Sequence, residues 1–109
     1  MFEIPYEQIK TEAEKAVFYL GYLWESLVDN GFINPKAVEL FGNKENVIYD
    51  DYVEVFGKIK SIIRKRHINQ YDEIIDLIEE NLFNDEEYNV RHATFYNLGS
   101  LYASNVVAN

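Results

Sequence analysis

The residues best suited to chemistry in this sequence are carboxylates gathered in one segment. All eight acidic residues that follow position 67 lie within residues 72–87. In the first half of the segment they recur at spacings of three and four, which on a helix places them on one face. Together with the flanking tyrosines they form the predicted binding face: Tyr71, Asp72, Asp76, Glu79, Glu80, Asp85, Glu86, Glu87 and Tyr88.

Two interpretations of this acidic segment remain open. It is either an ordinary solvated helix face, partly neutralised by the basic end of the preceding helix, or a docking surface for a cationic protein. In the second interpretation the carboxylates replace substrate phosphates, and Tyr71 or Tyr88 supplies a buried aromatic anchor. The neighbouring cations that could neutralise the segment are Lys58, Lys60, Arg64, Lys65 and Arg66.

The two histidines do not form a recognisable catalytic or metal site. A diiron bundle needs Glu three residues before each His, but Arg64 precedes His67 and Asn89 precedes His92 at that spacing. Neither a calcium-loop pattern nor a glycine-rich phosphate loop is present. We therefore expect no metal, no cofactor and no enzymatic activity. His92 is expected to pack among aromatic neighbours, and His67 to cap a helix end.

Charge and composition exclude several classes of function. The net charge of -9 argues against direct nucleic-acid binding, because phosphates are contacted by cations. The run 64–67 is basic, but its place at a helix end favours capping and internal ion pairing instead. With no cysteine there is no disulfide or thiolate chemistry. The acidic N-terminus does not resemble a secretory leader, and the longest apolar run, 16–24, is too short to span a bilayer. We expect a cytoplasmic protein with no membrane partner.

The elements that must position these residues are helices. Caps and three-and-four spacing predict a first helix from Pro5 to Asn30, where Gly31 provides a left-handed cap. Val47-Ile48-Tyr49 is β-prone, but no second strand exists to pair with it. The remaining predicted helices are a short connector over 35–41 after an Asn34 cap, a helix from Asp51 to about Arg66, one from an Asn69 cap to near Phe83, and one from an Asn84 cap to Ala103 or beyond.

These helices predict an all-α fold, a single domain over residues 1–109 built as a compact bundle of four main helices plus one short connector helix. Short connections favour antiparallel neighbours, so the default is an orthogonal or up-and-down bundle. The residues assigned to its core are Leu20, Leu23, Leu27, Phe56, Ile59, Ile74, Ile78, Phe95 and Leu98.

One short sequence pattern occurs twice, once in the first and once in the last predicted helix. Residues 20–26 and 98–104 share the pattern Leu-Gly-x-Leu-aromatic-x-Ser. The Leu-Gly-x-x-aromatic part also resembles the first helix of a tetratricopeptide repeat, but the 34-residue period of that class is absent. Glycine within a helix is tolerated where another backbone passes closely. We therefore predict that the two helices cross each other, or a common neighbour, at Gly21 and Gly99.

A small, acidic, cysteine-free helical protein resembles immunity proteins and antitoxins in size, charge and helix content, although no motif carries the resemblance. It implies an inhibitor that neutralises a basic, nuclease-type toxin by direct binding. One alternative is a phage or mobile-element protein that blocks a host defence nucleoprotein complex by phosphate mimicry. Another is a non-enzymatic adaptor that forms a homodimer or larger homo-oligomer through its uncharged C-terminal helix.

Overall fold

Four helices make up most of the computed structural model. It describes residues 4–38, 40–41, 47–82 and 91–108; within the last range, side chains are described for residues 92–105 only. They are α1 (Glu12–Asp29), α2 (Tyr49–Lys65), α3 (Asp72–Asn81) and α4 (Arg91–Ala108). None of the described residues lies in a strand. The all-α prediction is confirmed.

The connector helix predicted over 35–41 is not formed by the described residues of that stretch. Asn34 does cap a turn, because its side-chain oxygen accepts from the Lys36 N–H at 3.0 Å and its carbonyl from the Ala37 N–H at 3.0 Å. The turn stops there. Residues 34–37 are exposed, so no buried face stabilises further turns, and an isolated helical turn is unfavourable in water.

The first helix begins later than Pro5, because a capping box at Thr11 starts it. The Glu14 N–H donates to the Thr11 hydroxyl at 3.1 Å, and the Thr11 N–H donates to the Glu14 carboxylate at 3.1 Å. Residues 5–10 are not helical; Tyr6 instead packs its ring against Phe18. The other end is as predicted, since Gly31 adopts φ +77° just after the last turn.

Helix α2 begins at Tyr49, two residues before the predicted start. Asp51 is the third residue of the helix, and its carboxylate accepts from the N–H of the N-cap residue Ile48 at 2.9 Å. At the other end His67 adopts a left-handed φ of 55°, and the Ile68 N–H bonds back to the Ile63 carbonyl at 3.0 Å. His67 thus ends the helix through its backbone.

Helix α3 begins after Tyr71 and not at the predicted Asn69 cap. The predicted start of the last helix at Asn84 lies outside the described residues.

Helix α1 is the centre of the bundle. It is buried almost all the way round and packs most extensively against α4, less against α3 and least against α2. The two glycines sit in the α1 and α4 contact as predicted: a Cβ on Gly21 would collide with the Tyr96 carbonyl, and one on Gly99 with the Phe18 carbonyl.

The direction of α4 differs from that in an up-and-down bundle. The Ser100 hydroxyl donates to the Gly21 carbonyl at 3.3 Å, and the Ser104 hydroxyl donates to the Glu25 carboxylate at 2.8 Å. Both pairs are 79 residues apart. A constant separation means that the helices run parallel, whereas the first and last helices of four in an up-and-down bundle are antiparallel.

The core contains eight of the nine residues predicted for it; Leu98 is only half-buried, at its edge. His92 is buried, with its ring against Phe95, as expected of a packed histidine. In the described part of the chain, no helix combines the length and apolar character needed to cross a membrane.

Candidate partner-binding site

The acidic residues between positions 72 and 80 lie on α3, and the packing of two isoleucines holds that helix in place. Ile74 and Ile78 lie one turn apart and are buried against the core. Acids in the first turn are favoured by the helix dipole, and the Asn81 side chain closes the last turn by donating to the Leu77 carbonyl at 2.7 Å. The orientation of α3 is therefore determined by its apolar side.

The opposite side of α3 presents neighbouring carboxylates. With a rotation of about 100° per residue, the acids of this helix occupy one arc of roughly 120°. All of them are exposed: Asp72, Glu73, Asp76, Glu79 and Glu80. The predicted clustering of Asp72, Asp76, Glu79 and Glu80 on one face, opposite the isoleucines, is confirmed; Glu73 extends the same arc.

One carboxylate of this face is paired with α2. The Lys60 ammonium lies 3.4 Å from the Glu79 carboxylate and 4.6 Å from the centre of the Phe56 ring. Both members of the ion pair are substantially exposed, so it contributes little to stability. Asp72, Asp76 and Glu80 make no ion pair with any residue that the structure describes.

The partial neutralisation expected from the preceding helix comes from Lys60, one of the five cations considered for it. Arg64, Lys65 and Arg66 stand in the last turn and C-cap of α2, where cations are favoured by the helix dipole. Over the described ranges none of the three forms an ion pair, so the expected internal pairing of this cluster is not found there.

Tyr71 does not serve as an exposed aromatic anchor. The residue is 7% exposed. Its hydroxyl accepts a hydrogen bond from the Asn30 amide at 2.8 Å and donates one to the Ser26 carbonyl at 3.4 Å. The residue ties the start of α3 to the end of α1. The sequence placed it on the binding face because it adjoins Asp72, but its aromatic ring is more stable in the core.

The second half of the predicted face, namely Asp85, Glu86, Glu87 and Tyr88, lies outside the described residues. The site that the structure describes is therefore the α3 arc, which we call the acidic face: Asp72, Glu73, Asp76, Glu79 and Glu80.

Electrostatic effects of this face reach the core. Burial raises the pKa of the Tyr19 hydroxyl above its ordinary value, and the charge of Glu80 raises it further.

The described ranges contain no metal-binding cluster, because no three His, Asp or Glu side chains come together there as potential ligands.

Two features were missed by reasoning from the sequence. Ser104 on α4 lies between the carboxylates of Glu25 and Asp29, at 2.8 and 3.2 Å. The sequence pattern that contains Ser26 and Ser104 indicated that α1 and α4 pack together, but it did not identify these carboxylates as hydrogen-bond acceptors. The other feature is a cavity next to Tyr52 and Tyr96, which no periodicity could reveal because its walls come from separate segments.

The chain was compared with known proteins at three levels. No protein-family model, curated protein or solved structure matches it.

Proposed function

We propose that this protein is a non-enzymatic inhibitor that binds a basic protein through the acidic face, in the manner of an immunity protein or antitoxin that neutralises a nuclease-type toxin. The observation that carries the proposal is the single arc of exposed carboxylates on α3: Glu79 pairs with Lys60 of α2, whereas Asp72, Asp76 and Glu80 form no ion pair with any residue that the structure describes.

The chemistry of the partner follows from this arc. A nuclease binds phosphates through Lys and Arg, and a row of carboxylates presents the same charge to those groups. Complementary charge accelerates association and disfavours like-charged competitors. The net charge of -9 adds a long-range attraction for cationic proteins. Because Tyr71 is buried, the acidic face itself acts mainly through charge, and salt should weaken binding.

The geometry also suits an inhibitor mechanically. Ile74 and Ile78 anchor α3 to the core, so the carboxylates are presented from a regular helix that needs no folding on binding. Less conformational entropy is then lost on association than with a disordered acidic tail.

The test begins with capture of the partner from the native host and its identification by mass spectrometry. Binding is then titrated at low and high salt for the natural protein and for Asp76→Lys/Glu80→Lys. We expect the reversal to leave the fold intact, because both side chains are exposed and unpaired among the described residues, but to slow association and weaken binding by at least tenfold at low salt.

The matched control is Glu7→Lys/Glu12→Lys, which changes the net charge equally at exposed positions that do not belong to α3. Glu14 is unsuitable because it closes the capping box of α1. Equal losses in both variants would reduce the effect to net charge, and unchanged binding in the α3 variant would refute the acidic face. Capture of a defence nucleoprotein complex would favour the alternative of phosphate mimicry by a mobile-element protein.

The adaptor alternative has one supporting observation. Leu101 on α4 is 59% exposed, on a helix with no charged residue after Arg91. Sedimentation equilibrium distinguishes the adaptor function from the inhibitor function. A natural protein that forms a stable homo-oligomer, together with a Leu101→Gln variant that remains monomeric, would favour the adaptor.

A further inference from the structure

A cavity on the side of α2 and α4 is walled by aromatic rings. Its volume is about 150 Å³, and it is partly open to solvent. None of its residues belongs to α3, so it is separate from the acidic face. It is lined by Phe41, Val47, Tyr52, Ala93, Tyr96 and Asn97.

The rings give the cavity a defined shape. Phe41 stands edge-on to Tyr52, with ring centres 5.6 Å apart, and edge-on to Tyr96, with ring centres 5.3 Å apart. Ala93 on α4 is the smallest of the lining side chains. Aromatic edges and faces at this spacing provide the offset and edge-to-face contacts that another aromatic ring prefers.

The size of the cavity limits what can enter. Pockets for nucleotides and drug-sized ligands usually measure roughly 300–1,000 Å³, which is well above the volume available here. An apolar cavity of about 150 Å³ in an engineered lysozyme accepts benzene. A single aromatic ring is therefore the size that fits.

One lining residue, Tyr96, carries a hydroxyl that forms no hydrogen bond with any part of the chain that the structure describes. Burial raises the pKa of this hydroxyl above its ordinary value, and the charge of Glu25 raises it further. Tyr52, by contrast, has an interaction of its own. Tyr96 is half-buried, and a donor that loses water without gaining an acceptor is costly, whereas a ligand that supplies an acceptor removes that cost.

We propose that this cavity binds a small, single-ring aromatic molecule, with the Tyr96 hydroxyl donating a hydrogen bond to an acceptor on the ligand. The activity is additional to the proposed inhibitor function and does not depend on it.

The experiment uses toluene, which lacks a strong acceptor, and benzonitrile, which is similar in size and has a nitrile acceptor. Binding is followed by amide chemical shifts of the full chain and by the rise in melting temperature. We expect both ligands to shift the amides of Ala93 and Asn97, and benzonitrile to bind roughly two- to tenfold more tightly, as a typical hydrogen bond provides.

Two substitutions locate the site. Ala93→Leu fills the cavity with a good helix former, and we expect it to weaken binding of both ligands by at least tenfold while the melting temperature is kept or raised. Tyr96→Phe removes only the hydroxyl, and we expect it to abolish the preference for benzonitrile while toluene binding persists.

The matched control is Ala37→Leu, because Ala37 lines a second cavity of about 220 Å³ near Arg66. It makes the same change elsewhere and should leave ligand binding unaltered. The proposal is overturned if neither ligand binds, if Ala93→Leu and Ala37→Leu have equal effects, or if Tyr96→Phe leaves the preference intact. Should Ala93→Leu fail to fold, the Tyr96→Phe comparison still decides.

Discussion

The contact between α1 and α4 and the contact between α2 and α3 represent opposite ways of joining helices. In the first, Gly21 and Gly99 bring two backbones together, and no Lys or Arg takes part in its described hydrogen bonds. In the second, Lys60 and Glu79 meet as a half-exposed ion pair. The first contact is intolerant of a single added carbon, whereas the second leaves carboxylates facing water. We therefore expect the contact between α1 and α4 to contribute more to stability than the contact between α2 and α3.

The largest expected effect is at the glycines. Gly21→Ala places a Cβ against the Tyr96 carbonyl, and because both atoms belong to helices the backbones must separate. We expect a loss of about 3 kcal/mol or more in the free energy of unfolding, measured by urea denaturation.

Gly57 on α2 is the matched control, since nothing lies within 4 Å of the position of its Cβ. Gly57→Ala should stabilise the protein by roughly 0.5–1 kcal/mol through helix propensity. If Gly21→Ala behaves like Gly57→Ala, the close α1 and α4 contact is wrong.

Leucine truncations sharpen the same comparison. Leu20 is fully buried in α1, so Leu20→Ala should cost roughly 2–5 kcal/mol. Leu98→Ala should cost less, because that side chain is only half-buried. Urea denaturation of both variants gives the order, and a loss below about 1 kcal/mol at Leu20 would contradict its place in the core.

Alkaline pH should lower the stability of the protein through Tyr52, a buried residue of α2. Burial raises the pKa of Tyr52 to about 12 from 10.0, with a further contribution from Asp51. The folded state therefore favours the neutral phenol. Its contribution is complete below pH 10 and is lost as the pH rises towards 12, at about 1.4 kcal/mol per pH unit. Tyr52→Phe should flatten this dependence in unfolding measurements at pH 9 to 12; an unchanged slope would show that Tyr52 has no part in it.

The smallest effect is expected at the α2 and α3 ion pair. Lys60→Ala should reduce stability by about 0.2–1 kcal/mol, and high salt should remove the difference, because both charges are exposed. Part of any loss that persists at high salt comes from the contact with Phe56. A salt-independent loss of several kcal/mol would mean that this contact is not the weaker one.

Local patterns explain which predictions succeeded. The end of α1 at Gly31 and the burial of Ile74 and Ile78 follow from spacing and capping within one turn or two. The start of α1 was missed because Pro5 and the Thr11 capping box are both valid signals, and only the second is used. The connector helix failed for a related reason: its cap forms, but its turn has nothing to pack against.

By itself, the sequence determined the helical class, most of the core and the one-sided placement of the α3 carboxylates, because each depends on residues a few positions apart. The tertiary structure decided the parallel direction of α1 and α4, the burial of Tyr71 and the aromatic cavity. Each of these depends on pairs such as Asn30 with Tyr71 or Phe41 with Tyr96, which lie far apart along the chain. Helical periodicity records which face of a helix is apolar, but carries no information about which distant face will cover it.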